Sequence, residues 1–181
     1  MKNYIKIISA ITVIFFFQNC SAQNADPQTV NNLISSDEFT FHADRAFPMN
    51  QDVVNIANSM PNAAGQRIFD LSGEGYSIEI KKNVLDVVLP YFGRTFNPNY
   101  GTTDNSYRFT SKDYTLTKSQ SKKGNWVYKI KTNDVKNVSD INIEVFKNGK
   151  AMTSIRSNDR QPISYDGYIS ENEKTKEKEK L

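Results

Sequence analysis

Strict alternation of apolar and polar residues, short segment length and turn signals at regular intervals predict a mainly β protein. The expected form is a single antiparallel sheet domain, either a curled, barrel-like sheet or a sandwich, with one short N-terminal helix. The alternation is clearest where Phe39, Phe41 and Ala43 share one phase and Thr40, His42 and Asp44 share the other. It recurs at Tyr76, Ile78 and Ile80, at Leu85, Val87 and Leu89, at Trp126, Tyr128 and Ile130, and at Ile141, Ile143 and Val145. A half-buried strand requires this period of two.

The elements follow in order. Asp26-Pro27 reads as a helix start, with Asp as N-cap and Pro in the first helical position. Val30, Leu33 and Ile34 then fall on one stripe of a short helix. After the first strand, residues 49–66 lack a clear period and read as a long loop with one helical turn around Val53–Ala57. Arg67–Leu71 is weakly strand-like, and two strands meet at a tight Lys82-Asn83 turn. A turn-rich stretch at Asn97–Gly101 leads to strands at Tyr107–Thr110 and Tyr114–Lys118. Turns follow at Lys122–Asn125 and at Asn148-Gly149, the strongest hairpin signal in the chain. Ala151–Ser157 returns from that hairpin, and Ile163–Ile169 closes the domain.

These elements sit between two polar ends. Met1–Lys6 carries two lysines and no acid, and an eleven-residue apolar run follows at Ile7–Phe17. A basic start, a short apolar core and small residues beyond it make a secretory signal peptide. The run is well below the roughly 20 residues of a membrane-spanning helix. Two processing routes stay open. Cys20-Ser21-Ala22 suits ordinary cleavage after Ala22, giving a signal at 1–22. Alternatively Cys20 is the lipid-modified first residue of a lipoprotein, with a signal at 1–19 and a lipid anchor as the protein's only membrane attachment. Residues 23–38 are then a linker and the short helix, 39–169 the β domain, and 170–181 a solvated tail of balanced lysines and glutamates.

Composition excludes several functions. The formal net charge of +3 includes Lys2 and Lys6, so the mature chain is close to neutral and unsuited to binding nucleic acid by charge. One histidine and one cysteine argue against a metal centre or an intramolecular disulfide, and nothing points to a cofactor. No phosphate-loop spacing is present.

Four stretches carry a resemblance: Phe39–Pro48, Leu-Pro-Tyr-Phe-Gly-Arg at 89–94, Phe146–Ala151, and Ser157–Gly167. Together they resemble the DUF4251 (domain of unknown function 4251) family of exported bacterial proteins, over about residues 30–169. The chain departs from the family pattern at 49–66, where its connection is longer. The resemblance implies a cell-envelope protein of a Gram-negative bacterium, periplasmic or anchored in the outer membrane, and implies no activity.

The candidate binding residues are Arg45, Tyr91, Arg94, Arg156, Arg160 and Tyr165. Arg45 shares the phase of Phe39, Phe41 and Ala43, so an inward guanidinium needing a carboxylate partner is expected. Arg94 and the Ser157–Gly167 stretch are expected to meet in space, since both concentrate Arg, Tyr and Gly beside turns. The arginines either staple loops or bind an anion. A non-catalytic envelope binding or scaffolding domain is the favoured reading. The alternative is a hydrolase of an envelope polymer, with Asp44 and Asp166 as acid and base. The export reading predicts that native material begins at Cys20 or Gln23. Intact-mass spectrometry reads this directly, and retention of Met1–Phe17 contradicts it.

Overall fold

The computed structural model describes residues 26–61, 64–96 and 106–173. Cys20 and the apolar N-terminal run, the Asn97–Gly101 turn and the lysine-glutamate run from 174 lie outside the described residues. Helix α1 spans Pro27–Ser36. The Asp26 carboxylate accepts from the amides of Gln28 and Thr29, Pro27 takes the first turn, and Asp37 ends the helix in a left-handed conformation at φ 57°. Val30, Leu33 and Ile34 are buried, as their spacing predicts. They pack into the main core, and Lys118 donates to the Ile34 carbonyl at the helix C-terminus while pairing with Asp37 at 2.7 Å. A cation there suits the partial negative charge of the unpaired carbonyls.

Nine antiparallel strands form one nearly closed, barrel-like sheet, which selects the curled form over the sandwich. They are β1 (Phe39–Pro48), β2 (Ser77–Lys81), β3 (Val84–Leu89), β4 (Tyr107–Ser111), β5 (Tyr114–Gln120), β6 (Trp126–Thr132), β7 (Val138–Val145), β8 (Lys150–Ser157) and β9 (Ile163–Ser170). Their order is β4-β3-β2-β1-β9-β8-β7-β6-β5. Consecutive strands are neighbours in the sheet except β4 and β5, which form its two edges, and β1 also pairs with β9. The apolar phases point inward, where Phe39, Phe41, Tyr128 and Tyr165 fill the barrel among Ile, Leu and Val side chains. Barrels of this strand number have an interior that side chains can fill.

The two outer strands are consecutive in the chain, joined only by Lys112-Asp113. Asp134 clamps that link by accepting from the Ser111 hydroxyl and the amides of Lys112 and Asp113, which holds its carboxyl below the usual range. The Tyr114 hydroxyl donates to the Lys81 carbonyl and ties β5 to the far side of the seam.

Residues 51–59 and 64–68 are helical where the sequence predicts mostly loop. Helix α2 spans Gln51–Ser59 behind an Asn50 cap, and α3 spans Ala64–Ile68. The described side chains of α2 bury only Ala57, and Ile56 is exposed, so no apolar stripe betrays the helix in the sequence. Arg67–Leu71 is likewise no strand. After α3, the Phe69 carbonyl accepts from the Ala46 amide and the Leu71 amide donates to the Asp44 carbonyl, so this stretch lines the second half of β1 by isolated bonds. At the other end of the chain, the tail is anchored at its start. Asn172 accepts from Thr40 and donates to the Ile80 carbonyl. Among the described residues, no helix is long and apolar enough to cross a membrane.

A β-bulge corrects the expected phase of Arg45. Ala43 pairs with Gly167 and Arg45 with Asp166, so Asp44 is an extra residue in β1. One extra residue reverses the inward and outward faces beyond it. Ala46 is therefore buried and Arg45 exposed, its guanidinium 5.9 Å from the Phe47 ring centre. Gly167 permits the bulge: a Cβ there would lie 1.8 Å from the His42 carbonyl oxygen. Backbone cannot yield as a flexible side chain does. Gly167→Ala is expected to cost about 3 kcal/mol, at the upper end of overpacking effects, and urea denaturation followed by circular dichroism measures it.

Candidate functional site

The Arg94 and Ser157–Gly167 stretches meet at one end of the barrel. Thr95 bridges Arg160, the Phe96 amide donates to the Asp159 carbonyl, and the Gln161 amide donates to the Arg94 carbonyl. Tyr91 curls back so that its hydroxyl donates to the same Arg94 carbonyl at 2.9 Å. Gly93 allows that curl, because a Cβ would lie 2.5 Å from the Tyr91 hydroxyl. The Leu-Pro-Tyr-Phe-Gly-Arg string thus encodes a specific reversal of the chain after β3.

Arg160 sits at the centre of this junction. It pairs with Asp159 at 2.9 Å, both side chains only 11% exposed, and lies about 5 Å from the ring centres of Tyr91 and Tyr107. Burial disfavours its charge, and the Asp159 contacts outweigh that effect. Burial also pushes the Tyr107 phenol up to about 12, though it accepts from the Ser157 hydroxyl at 2.9 Å. Tyr165 is wholly enclosed, donates to the Pro90 carbonyl at 2.6 Å, and presents nothing to solvent. Arg94 takes part through its backbone, while its side chain is exposed. The cluster is a latch in which buried groups satisfy one another.

A groove lies elsewhere, on the outer face of β1, β8 and β9. It is open, about 840 Å³ in volume, within the roughly 300–1,000 Å³ of small-ligand sites. Its acidic wall is Asp44, the bulged residue, and Asp166 on the neighbouring strand. Lys150 leads β8, and Lys123 and Lys147 reach in from the turns before β6 and β8. Met152 and Tyr168 supply apolar surface. Tyr168 is stacked on His42 with ring centres 5.0 Å apart, and His42 bonds Ser170 at 2.8 Å. Burial lowers the His42 pKa despite the nearby Asp44.

The two carboxyl groups are strained by this setting. Burial raises the Asp44 pKa, and the Asp166 charge raises it further. Burial likewise raises that of Asp166, against the opposing charges of Arg45 and Lys150. Asp166 Oδ1 is shielded from solvent and has no hydrogen-bond partner among the described residues. A buried acceptor left unpaired is costly. No group of three or more His, Cys, Asp and Glu side chains is disposed to hold a metal among the described residues.

Of the residues singled out in the sequence, Tyr91, Arg160 and the Arg94 backbone come together in the latch, with Tyr165 beneath. Arg45 faces Asp166 across the strands from outside, and Arg156 is exposed on the outer face of β8. The groove lysines and Met152 escaped sequence reading. Their signal was the pair of lysine-flanked Gly-Asn and Asn-Gly turns, which reads as turn chemistry alone.

A family model described as "Domain of unknown function (DUF4251)" matches residues 21–169. No curated protein matches the chain. A crystal structure of a DUF4251 family protein from Bacteroides eggerthii DSM 20697 is similar at 13% identity and TM-score 0.49, over 81% of this chain and 90% of the other.

Two predictions separate the sites. Arg160→Ala strands Asp159 and is expected to cost about 2 kcal/mol, lowering Tm by about 4–8 °C, while Arg94→Ala changes stability by less than about 0.5 kcal/mol. Differential scanning calorimetry of both variants checks this. For Asp166, the folded pKa lies above the unfolded one, so the native state binds the proton more tightly. Its stabilising contribution is present below the ordinary carboxylate pKa and is lost as pH rises through the raised value. Asp166→Asn is therefore expected to raise Tm at pH 7, with the gain shrinking as the pH falls to the ordinary carboxylate range.

Proposed function

The chain belongs to the DUF4251 family, and we propose that it is an exported cell-envelope protein that binds a ligand without transforming it. The ligand lies in the groove on the outer face of β1, β8 and β9. One observation carries this reading: an open groove of about 840 Å³ on this face is lined by Lys123, Lys147 and Lys150 beside Asp44 and Asp166. Loops and exposed strand faces on a rigid scaffold are where binding residues concentrate. The barrel interior is filled by Phe39, Phe41, Tyr128 and Tyr165, which leaves the outer face as the place for a ligand. Export rests on the basic, apolar and small-residue succession of Met1–Ala22. Attachment through lipid on Cys20 and periplasmic release after cleavage at Ala22 are both compatible with this role.

The raised pKa values of both Asp44 and Asp166 also favour a second reading, a hydrolase of an envelope polymer with these carboxyls as acid and base. Co-sedimentation of the mature protein with isolated Gram-negative cell envelopes tests both. Wild type is expected to sediment, and Met152→Arg, which fills the groove from an exposed position, to remain in solution with unchanged Tm. Undiminished sedimentation of Met152→Arg overturns the groove. Soluble fragments released by wild type but not by Asp166→Asn replace binding with hydrolysis.

A further inference from the structure

We infer that the groove ligand is an anionic glycan, a polysaccharide bearing uronate-type carboxylates; this rests on the groove-binding reading and specifies its substrate class. The groove is one part of a longer track. Met152 is shared with a second depression of about 430 Å³ on the same face, lined by Asn142, Ser154, Ser164 and Arg156. The track therefore runs from lysines at one end, past Asp44, Asp166 and Glu144 and a row of hydroxyl and amide side chains, to an arginine at the other. An open track of that kind suits a chain polymer better than a compact small molecule.

The polar groups divide by the chemistry they can accept. Lys147 and Lys150 bracket the Asn148-Gly149 turn, and Lys147 Nζ lies 3.8 Å from where a side chain on Gly124 would begin. The two turns thus bring Lys123 and Lys147 to one end of the groove. Ammonium groups there receive a carboxylate. Asp44 and Asp166 can only accept when ionised, so their partner must donate, and a sugar hydroxyl does so at no charge. Met152 and Tyr168 present apolar surface to the C–H face of a pyranose ring.

Competing ligands fit less well. Three lysines against two aspartates leave the groove lining one positive charge, enough for a monoanion and too little for closely spaced phosphates. A peptide added as an extra strand has no purchase here, since the backbones of β8 and β9 are paired on both sides.

The test is titration calorimetry of the mature protein with three probes: polygalacturonate, its fully methyl-esterified neutral form, and polyglutamate. Polygalacturonate is expected to bind, with affinity falling as salt rises, and the other two to bind at least about 10-fold more weakly. The double variant Lys147→Glu, Lys150→Glu is expected to lose at least about 10-fold with its native circular dichroism retained, and Asp166→Asn about 5-fold or more with Tm at or above wild type. Equal binding of the ester removes the role of charge, and equal binding of polyglutamate removes the glycan. Either result, or binding that survives the lysine double variant, overturns the inference, as does a failure of polygalacturonate to bind. Envelope sedimentation that remains sensitive to Met152→Arg in that case keeps the groove reading and discards only the glycan.

Discussion

The extra residue that Asp44 inserts into β1 sets the character of both faces of the sheet. Before it, Phe39, Phe41 and Ala43 point into the barrel; after it, Ala46 does so and Arg45 turns outward. Without the bulge, the guanidinium would face a core of Ile, Leu and aromatic rings, and Ala46 would face water. The same distortion pushes Asp44 to the groove beside Asp166. It also draws the His42 carbonyl so close to β9 that only glycine fits at 167. Bulges are common beside functional sites because they re-aim a side chain without disturbing the ladder on either side. Here the re-aimed side chain is a carboxylate.

Satisfied and unsatisfied polar groups are segregated on this scaffold. At the Arg160 end, charge, aromatic rings and carbonyls are mutually satisfied and nearly closed to water. On the groove face, two carboxyl groups hold their charge at a cost and one oxygen has no partner. A fold tolerates such a face only if its core is secure, which the filled barrel and the plugging helix α1 supply.

Much of the architecture was legible because period and burial coincide. Inward sets such as Ile141, Ile143 and Val145 are fully buried, and the Asp26-Pro27 start and Asn148-Gly149 turn fall where their chemistry requires. Failures arose where burial and period part company. Helix α2 buries little among its described side chains, so its sequence carries no stripe. The phase of Arg45 was misread because a bulge leaves no mark in a list of residue types. The convergence of Arg94 with Ser157–Gly167 was visible in composition, yet its meaning was not. Arg160 and Tyr91 look like ligand-binding residues until their partners are known. The groove was hidden because its lysines sit in turns more than 20 positions apart, and only the pairing of β6, β7 and β8 brings them together.

The place of β9 has a consequence for the order of assembly. The last strand made lies at the middle of the sheet, between the first strand and β8. Until it arrives, β1 and β8 each present an unpaired edge, and contacts such as Thr40 with Asn172, 132 positions apart, cannot form. Two hairpin-rich halves can form early, β1 to β4 and β5 to β8, but neither encloses a core. Long-range closure of this kind is slow, because the entropy of a large loop is lost before any contact compensates. A nascent chain of this protein therefore stays open until β9 has emerged.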